Sequence, residues 1–502
     1  MIRRRSQLLL MCLALCTGAA SAVSLNPQGL GQVLIYPYYT VNRSQDTLIS
    51  VANVSSTAKL VRVRFLEGYN GRTAFSEYVF LSAHDVWTAA VSQTADDGGA
   101  RIATSDRSCA FPALTAETGA FTSADYDGQN GNADDGPQSI TRTREGSIEI
   151  IEAGDIIPGS AAEAAITHVQ NGTPGQGVPS CDFAQAPDAP PIDIADLAAP
   201  TGGLYGSGSI VDVAHGTFFA YTATALAGFT DQLPVDDLTD ATQPSLDEAH
   251  SSESEATARA YVPFPDGHFV GLDFQNGIDA VTAVLMTTTL SNEFLTGAAL
   301  GANTDWVITF PTKRYYVDES LPDTPILPFV ETFGEHVEAD GTHIHGQSRI
   351  VFPIAVYDRE ELVTSNVNTD CGFLCPSESP LQLSYEVNIF GLLADGTPAG
   401  TPSGVLGSRL SEFYYTGIGE PPRGDAGWYV MDLVSGDGGA HMMNASVSSG
   451  DPILLEGLPT VGFMVYNIVN ANAQPGVLGN YGGAFAHRTT FGCVGTPCPA
   501  TP

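Results

Sequence analysis

The chain has 502 residues, of which 20 are Lys or Arg and 56 are Asp or Glu, a formal charge of −36 at pH 7. A field of that sign and size repels polyanions, which excludes nucleic acid as a partner and argues against anionic membrane surfaces. With 43% hydrophobic residues the chain can bury sizeable cores, and no stretch reaches the roughly 18 apolar residues of a membrane-spanning helix.

The first element is a targeting segment. Arg3, Arg4 and Arg5 precede an apolar run from Leu8 to Leu15, and Ala20-Ser21-Ala22 forms a small-residue cleavage site. Residues 1–22 therefore read as a signal peptide and predict export. Its removal would leave 17 basic against 56 acidic residues, a formal charge of −39. Six cysteines remain beyond it: Cys109, Cys181, Cys371, Cys375, Cys493 and Cys498. An even number in an oxidising compartment points to disulfides. Loop-closure entropy favours near partners, so the expected pairs are Cys109–Cys181, Cys371–Cys375 and Cys493–Cys498.

Beyond the leader the chain is punctuated by 53 glycines and 32 prolines. Short runs of period-two alternation lie between them, the mark of half-buried strands. The expected fold class is all-β, built of antiparallel sandwich domains with long Gly/Asp/Pro-rich loops. Residues 23–157 read as an immunoglobulin-like domain. A strand over 47–54 turns at 55–57 into a second over 60–65, with Val61, Val63 and Phe65 inward and Arg62 and Arg64 outward. Further strands cover 77–81 and 86–91, and an Asp/Gly-rich insertion covers 95–140.

Residues 158–203 read as a Pro/Ala/Gly-rich connection, with one short helix over 160–170. A second β domain spans 204–370. In it, Gly206-Ser207-Gly208-Ser209 reads as a turn before a strand. Residues 231–257 read as an exposed acidic loop, and strands resume at Ala280. Trp306, Ile308 and Phe310 alternate, and Pro353 marks an edge strand. A C-terminal β region spans 371–502. Its cleanest strand places Leu381, Leu383, Tyr385, Val387 and Ile389 on one face and Gln382, Ser384, Glu386 and Asn388 on the other. Trp87 and Trp306 fall in strands and read as core residues; Trp428 is a further possible platform for stacking a sugar.

Two clusters invite metals. Ser123 to Asp134 resembles a calcium loop, with Asp125, Asp127, Asn130, Asn132 and Asp134 as oxygen donors and Gly128 at the sharp turn. It departs from the pattern in opening with a serine and in closing without a bidentate Glu. His343 and His345, two apart on a strand, share a face and make a transition-metal pair. A nucleophile elbow of the Gly-x-Ser-x-Gly type, a phosphate-binding loop and a dinucleotide fingerprint are all missing from the sequence.

Five segments carry a resemblance: Gly29 to Val41, Ala83 to Ala89, Arg144 to Ile151, Thr304 to Tyr316 and Tyr481 to Arg488. Together they resemble an uncharacterised family of exported proteins from Gram-negative bacteria. The resemblance implies export, with the protein in the periplasm, on the cell surface or outside the cell, and one architecture over most of the chain. It carries no activity or cofactor with it. The function expected is that of a non-enzymatic surface or extracellular matrix-type protein, calcium-stabilised, with a surface polymer or its own copies as partner. The alternative is a secreted carbohydrate-binding protein or hydrolase acting on a polymer.

Overall fold

The structure, a computed structural model, describes residues 22–95, 98–129, 134–170, 173–174, 177–181, 192–264, 267–297, 301–318, 320, 327–337, 343–361, 363–365, 381–394, 402–416, 425–436, 439–447, 452–470, 474–477, 479–495 and 498. It is an all-β protein of antiparallel sheets packed face to face. Among the described residues no helix is long and apolar enough to cross a membrane.

Two sheets belong to the first part of the chain. In the larger, Val33–Thr40, Glu145–Ile156, Lys59–Glu67 and Thr73–Leu81 lie side by side. In the smaller, the order is Thr217–Thr222, Leu204–Asp212, Asp46–Asn53, Val86–Gln93 and Ala100–Ala103. The turn after Asn53 thus carries the chain from one sheet to the other, because Asp46–Asn53 and Lys59–Glu67 pair with different neighbours. The strands of 204–227 hydrogen-bond into these same two sheets.

Three five-stranded sheets follow. One runs Ala258–Pro263, Phe269–Phe274, Met442–Val447, Ile453–Glu456 and Gly492–Val494. Another runs Val363–Ser365, Ile354–Asp358, Ala426–Asp432, Thr289–Leu295 and Arg488–Thr490. The last runs Ser411–Thr416, Val387–Ala394, Ala302–Thr309, Val461–Ile468 and Tyr481–Ala486, with its first pair parallel.

The central strand of the last sheet, Ala302–Thr309, is buried on both faces. Trp306 and Ile308 enter the core formed with the other C-terminal sheets, while Val307, Val387, Ile389, Phe463 and Val465 enter the core of the two N-terminal sheets. Trp87 and Trp306 are fully buried, as their strand positions predict. Trp306 stacks on Tyr429 at 3.6 Å.

Several local expectations need correction. Arg62 and Arg64 are buried, not outward. The 231–257 segment lies over them rather than in solvent: Arg62 donates to the Ala241 carbonyl at 3.0 Å and Arg64 to those of Thr242 and Pro244 at 2.7 and 2.9 Å. Val235, Leu238 and Leu246 anchor that cover in the core. Gly277–Leu285 is an α-helix where strands were expected. It is buried nearly all round, so no polar stripe marks its period.

Gly206 to Ser209 lie inside a strand, not a turn. Gly206 is required there because a Cβ would sit 1.8 Å from the Tyr36 hydroxyl oxygen, which donates to the Ser50 carbonyl. The long strand over 381–389 is two strands. Asn388 bonds the backbone N–H and carbonyl of Tyr385 and bends the chain, so the next residue, Glu386, is buried instead of facing solvent.

Candidate functional site

The sequence candidates are placed as follows. Asp125 accepts the Thr73 amide at 2.8 Å. Asp127 accepts the Ser123 hydroxyl at 2.8 Å and the Gln129 amide at 3.0 Å. Asp134 faces a cation of the chain itself: Arg142 donates to both its oxygens at 2.9 Å, and Asn70 donates to one at 2.7 Å. Burial pushes the Asp134 carboxyl up, but the Arg142 bonds outweigh that and hold it below the usual carboxylate range. Arg142 also binds Glu67 and lies over the Tyr126 ring. Asn130 and Asn132 lie outside the described residues.

His343 and His345 stand two apart on strand His343–Gln347, paired with Gly334–Val337. The His345 carbonyl accepts the Tyr69 hydroxyl; the side chain of His343 lies outside what is described. Among the described residues no three His, Cys, Asp or Glu side chains are grouped to hold a metal. Cys109–Cys181 and Cys493–Cys498 are disulfide-bonded, as expected from their spacing. Cys371 and Cys375 lie outside the described residues.

Two surfaces stand out from this background. The first is the outer face of the smaller N-terminal sheet. Alternation turns Ile49, Trp87, Ile102, Ile210 and Phe219 inward. The residues turned outward are Leu48, Ser50, Thr88, Ala90, Tyr205, Ser207, Ser209, Phe218 and Ala220. Leu48, Val86, Tyr205 and Phe218 are between 43% and 57% exposed. Ser50 and Ser207 bond each other at 3.0 Å in the centre. The centre of the face carries no charge. Asp46 and Arg101 stand at its margins, and burial raises the Asp46 carboxyl.

The second is a cleft of about 730 Å³ over the sheet that holds Trp428. Register sets Tyr357, Trp428 and Glu293 in one row across three strands. The Trp428 and Tyr357 rings stack at 4.3 Å, 8° from parallel, and Trp428 is 42% exposed. The neighbouring strand adds Arg488, in register with Ser291, and both Glu293 and Arg488 are exposed. Among the described residues neither of these two side chains has a hydrogen-bond or ionic partner. Phe485 and Tyr466, stacked 2° from parallel, close one wall, and the Arg359–Asp425 pair stands at the rim. Gly427 admits the close crossing, since a Cβ there would lie 2.0 Å from the Tyr357 carbonyl oxygen.

Sequence reasoning named Trp428 but not Tyr357, Glu293 or Arg488. The available signal was the alternation in Ala426–Asp432, which sets Trp428 opposite the buried Tyr429 and Met431. Comparison with protein-family models, with curated proteins and with solved structures gives no match, so the reading of these surfaces rests on their own chemistry.

Proposed function

We propose that the chain is an exported, non-enzymatic surface or matrix-type protein that acts by contact, assembling with further copies of itself through the outer face of the smaller N-terminal sheet. The observation that supports it is the uncharged centre of that face in a chain of formal charge −36. Elsewhere like charges hold copies apart; on this face apolar and small polar side chains meet with no charge to desolvate. The leader-like residues 1–22 and two disulfides support export.

Salt shortens the reach of the repulsion, to about 8 Å at physiological ionic strength. Association is therefore expected to strengthen as salt rises. Sedimentation velocity at low and high salt reads it directly. Ser50→Glu with Ser207→Glu sets two carboxylates in the centre of the face and is expected to leave a folded monomer. A wild-type protein that stays monomeric at every salt concentration refutes the reading.

A further inference from the structure

The geometry points to the Trp428 cleft as a binding site for neutral hexopyranose units of a polysaccharide. This inference concerns a different sheet from the assembly face and does not depend on it.

The argument starts from the platform. Tyr357 covers one face of the Trp428 indole at 4.3 Å, which fixes the ring, and the side chain stays 42% exposed, with Glu293 the cross-strand neighbour on the side away from Tyr357. A fixed, flat, exposed aromatic face wants a flat apolar partner. The carbon-bound hydrogens of a pyranose ring supply one, while its hydroxyls point outward around the ring. Those hydroxyls need donors and acceptors at the edge of the platform. Glu293, in register with Trp428, accepts; Arg488, beside Ser291 on the next strand, donates. A carboxylate and a guanidinium with no partner among the described residues are suited to bind adjacent hydroxyls by charge-assisted hydrogen bonds.

Charge then decides the class. Glu293 and Arg488 offset each other, Arg359 at the rim is already paired with Asp425, and Asp358, also in the lining, is buried and accepts the Glu360 amide. From the exposed groups a ligand of either charge gains nothing net. A polyanion is further opposed by the field of the whole chain. A neutral polyhydroxyl ligand suffers neither penalty. The cleft volume of about 730 Å³ lies within the range of small-ligand sites.

The test titrates the purified protein with cellohexaose, maltohexaose, laminarihexaose, mannohexaose and chitohexaose, following tryptophan fluorescence and heat. Polygalacturonate and chitosan serve as charged comparators. At least one neutral hexasaccharide is expected to bind. Trp428→Ala should weaken it about tenfold or more, a loss of about 1.4 kcal/mol, and Glu293→Gln and Arg488→Ala should each weaken it severalfold. Trp428 is exposed, so its variant should melt with the wild type; should it fail to fold, Glu293→Gln and Arg488→Ala carry the same test. Binding to none of the five, binding that all three substitutions leave unchanged, or binding to a charged polymer alone overturns the assignment.

Discussion

At the residue scale the dominant feature is ionisable groups placed where water does not reach. Glu386 is fully buried, and neither of its carboxylate oxygens has a hydrogen-bond partner among the described residues. Burial pushes its carboxyl up to about 8, against the pull of Lys313 and Arg314. Lys313, buried beside Phe310, Phe329 and Phe333, is pushed down to about 7 by burial, although the Ser348 and Tyr385 carbonyls accept its hydrogens. The signs of the two follow. Between pH 4.5 and 8 the folded state keeps a proton on Glu386 that the unfolded chain has lost, so this group's contribution to stability falls as pH rises through that window. Between pH 7 and 10.5 the unfolded chain keeps a proton on Lys313 that the folded state lacks, so its contribution rises with pH. For one proton the slope is at most about 1.4 kcal/mol per pH unit. Glu386→Gln is expected to flatten the fall between pH 5 and 8 relative to wild type, read by urea unfolding at several pH values. An unchanged slope would mean that the Glu386 carboxyl titrates normally in the folded state.

At the element scale the covering segment 231–257 matters most. The sequence shows acid, Ser and Thr there, and such a composition ordinarily means solvent. In place, its carbonyls accept hydrogen bonds from Arg62 and Arg64, and a capping box between Ser245 and Glu248 fixes the short turn that delivers Leu246. Leu246→Ala should cost about 2–5 kcal/mol in a denaturant melt, the usual range for a fully buried leucine. A cost under about 0.5 kcal/mol, normal for surface sites, would mean the segment is not docked.

This is also where sequence legibility stopped. The strands around Val61, Ile308 and Val465 were readable because one-sided burial writes a period of two into the side chains. The burial of Arg62, Arg64 and Glu386 was not readable, because a polar residue facing a distant polar cover looks the same in sequence as one facing water. The Gly277–Leu285 helix was hidden by the opposite effect, apolar residues on every side. Of the cleft, Trp428 was visible as a tryptophan. Tyr357 and Arg488 reach it through strand pairing, with Trp428 across about 70 residues of chain and with Ser291 across about 200, and pairing across such distances leaves no local mark.

At the scale of the whole molecule, the two described disulfides close loops of very different size. Cys109–Cys181 ties residues 72 apart, and Cys493–Cys498 ties residues 5 apart. If the bonds act by restricting the unfolded chain, losing the first should cost about 4 kcal/mol and losing the second about 2. Paired Cys→Ser variants compared by thermal melting check the order; equal costs would place the effect in the folded state instead.

The sheet around Ala302–Thr309 has one more consequence. Because Val307, Phe463 and Val465 belong to the N-terminal core, that core is complete only once residues near 465 have emerged. Until then the N-terminal core lacks part of its packing, and the last strands act as a keystone. Once they are seated, the two cores lose and gain structure together, as one thermal transition, and the amides of Ala302–Thr309 should be among the slowest in the molecule to exchange with solvent.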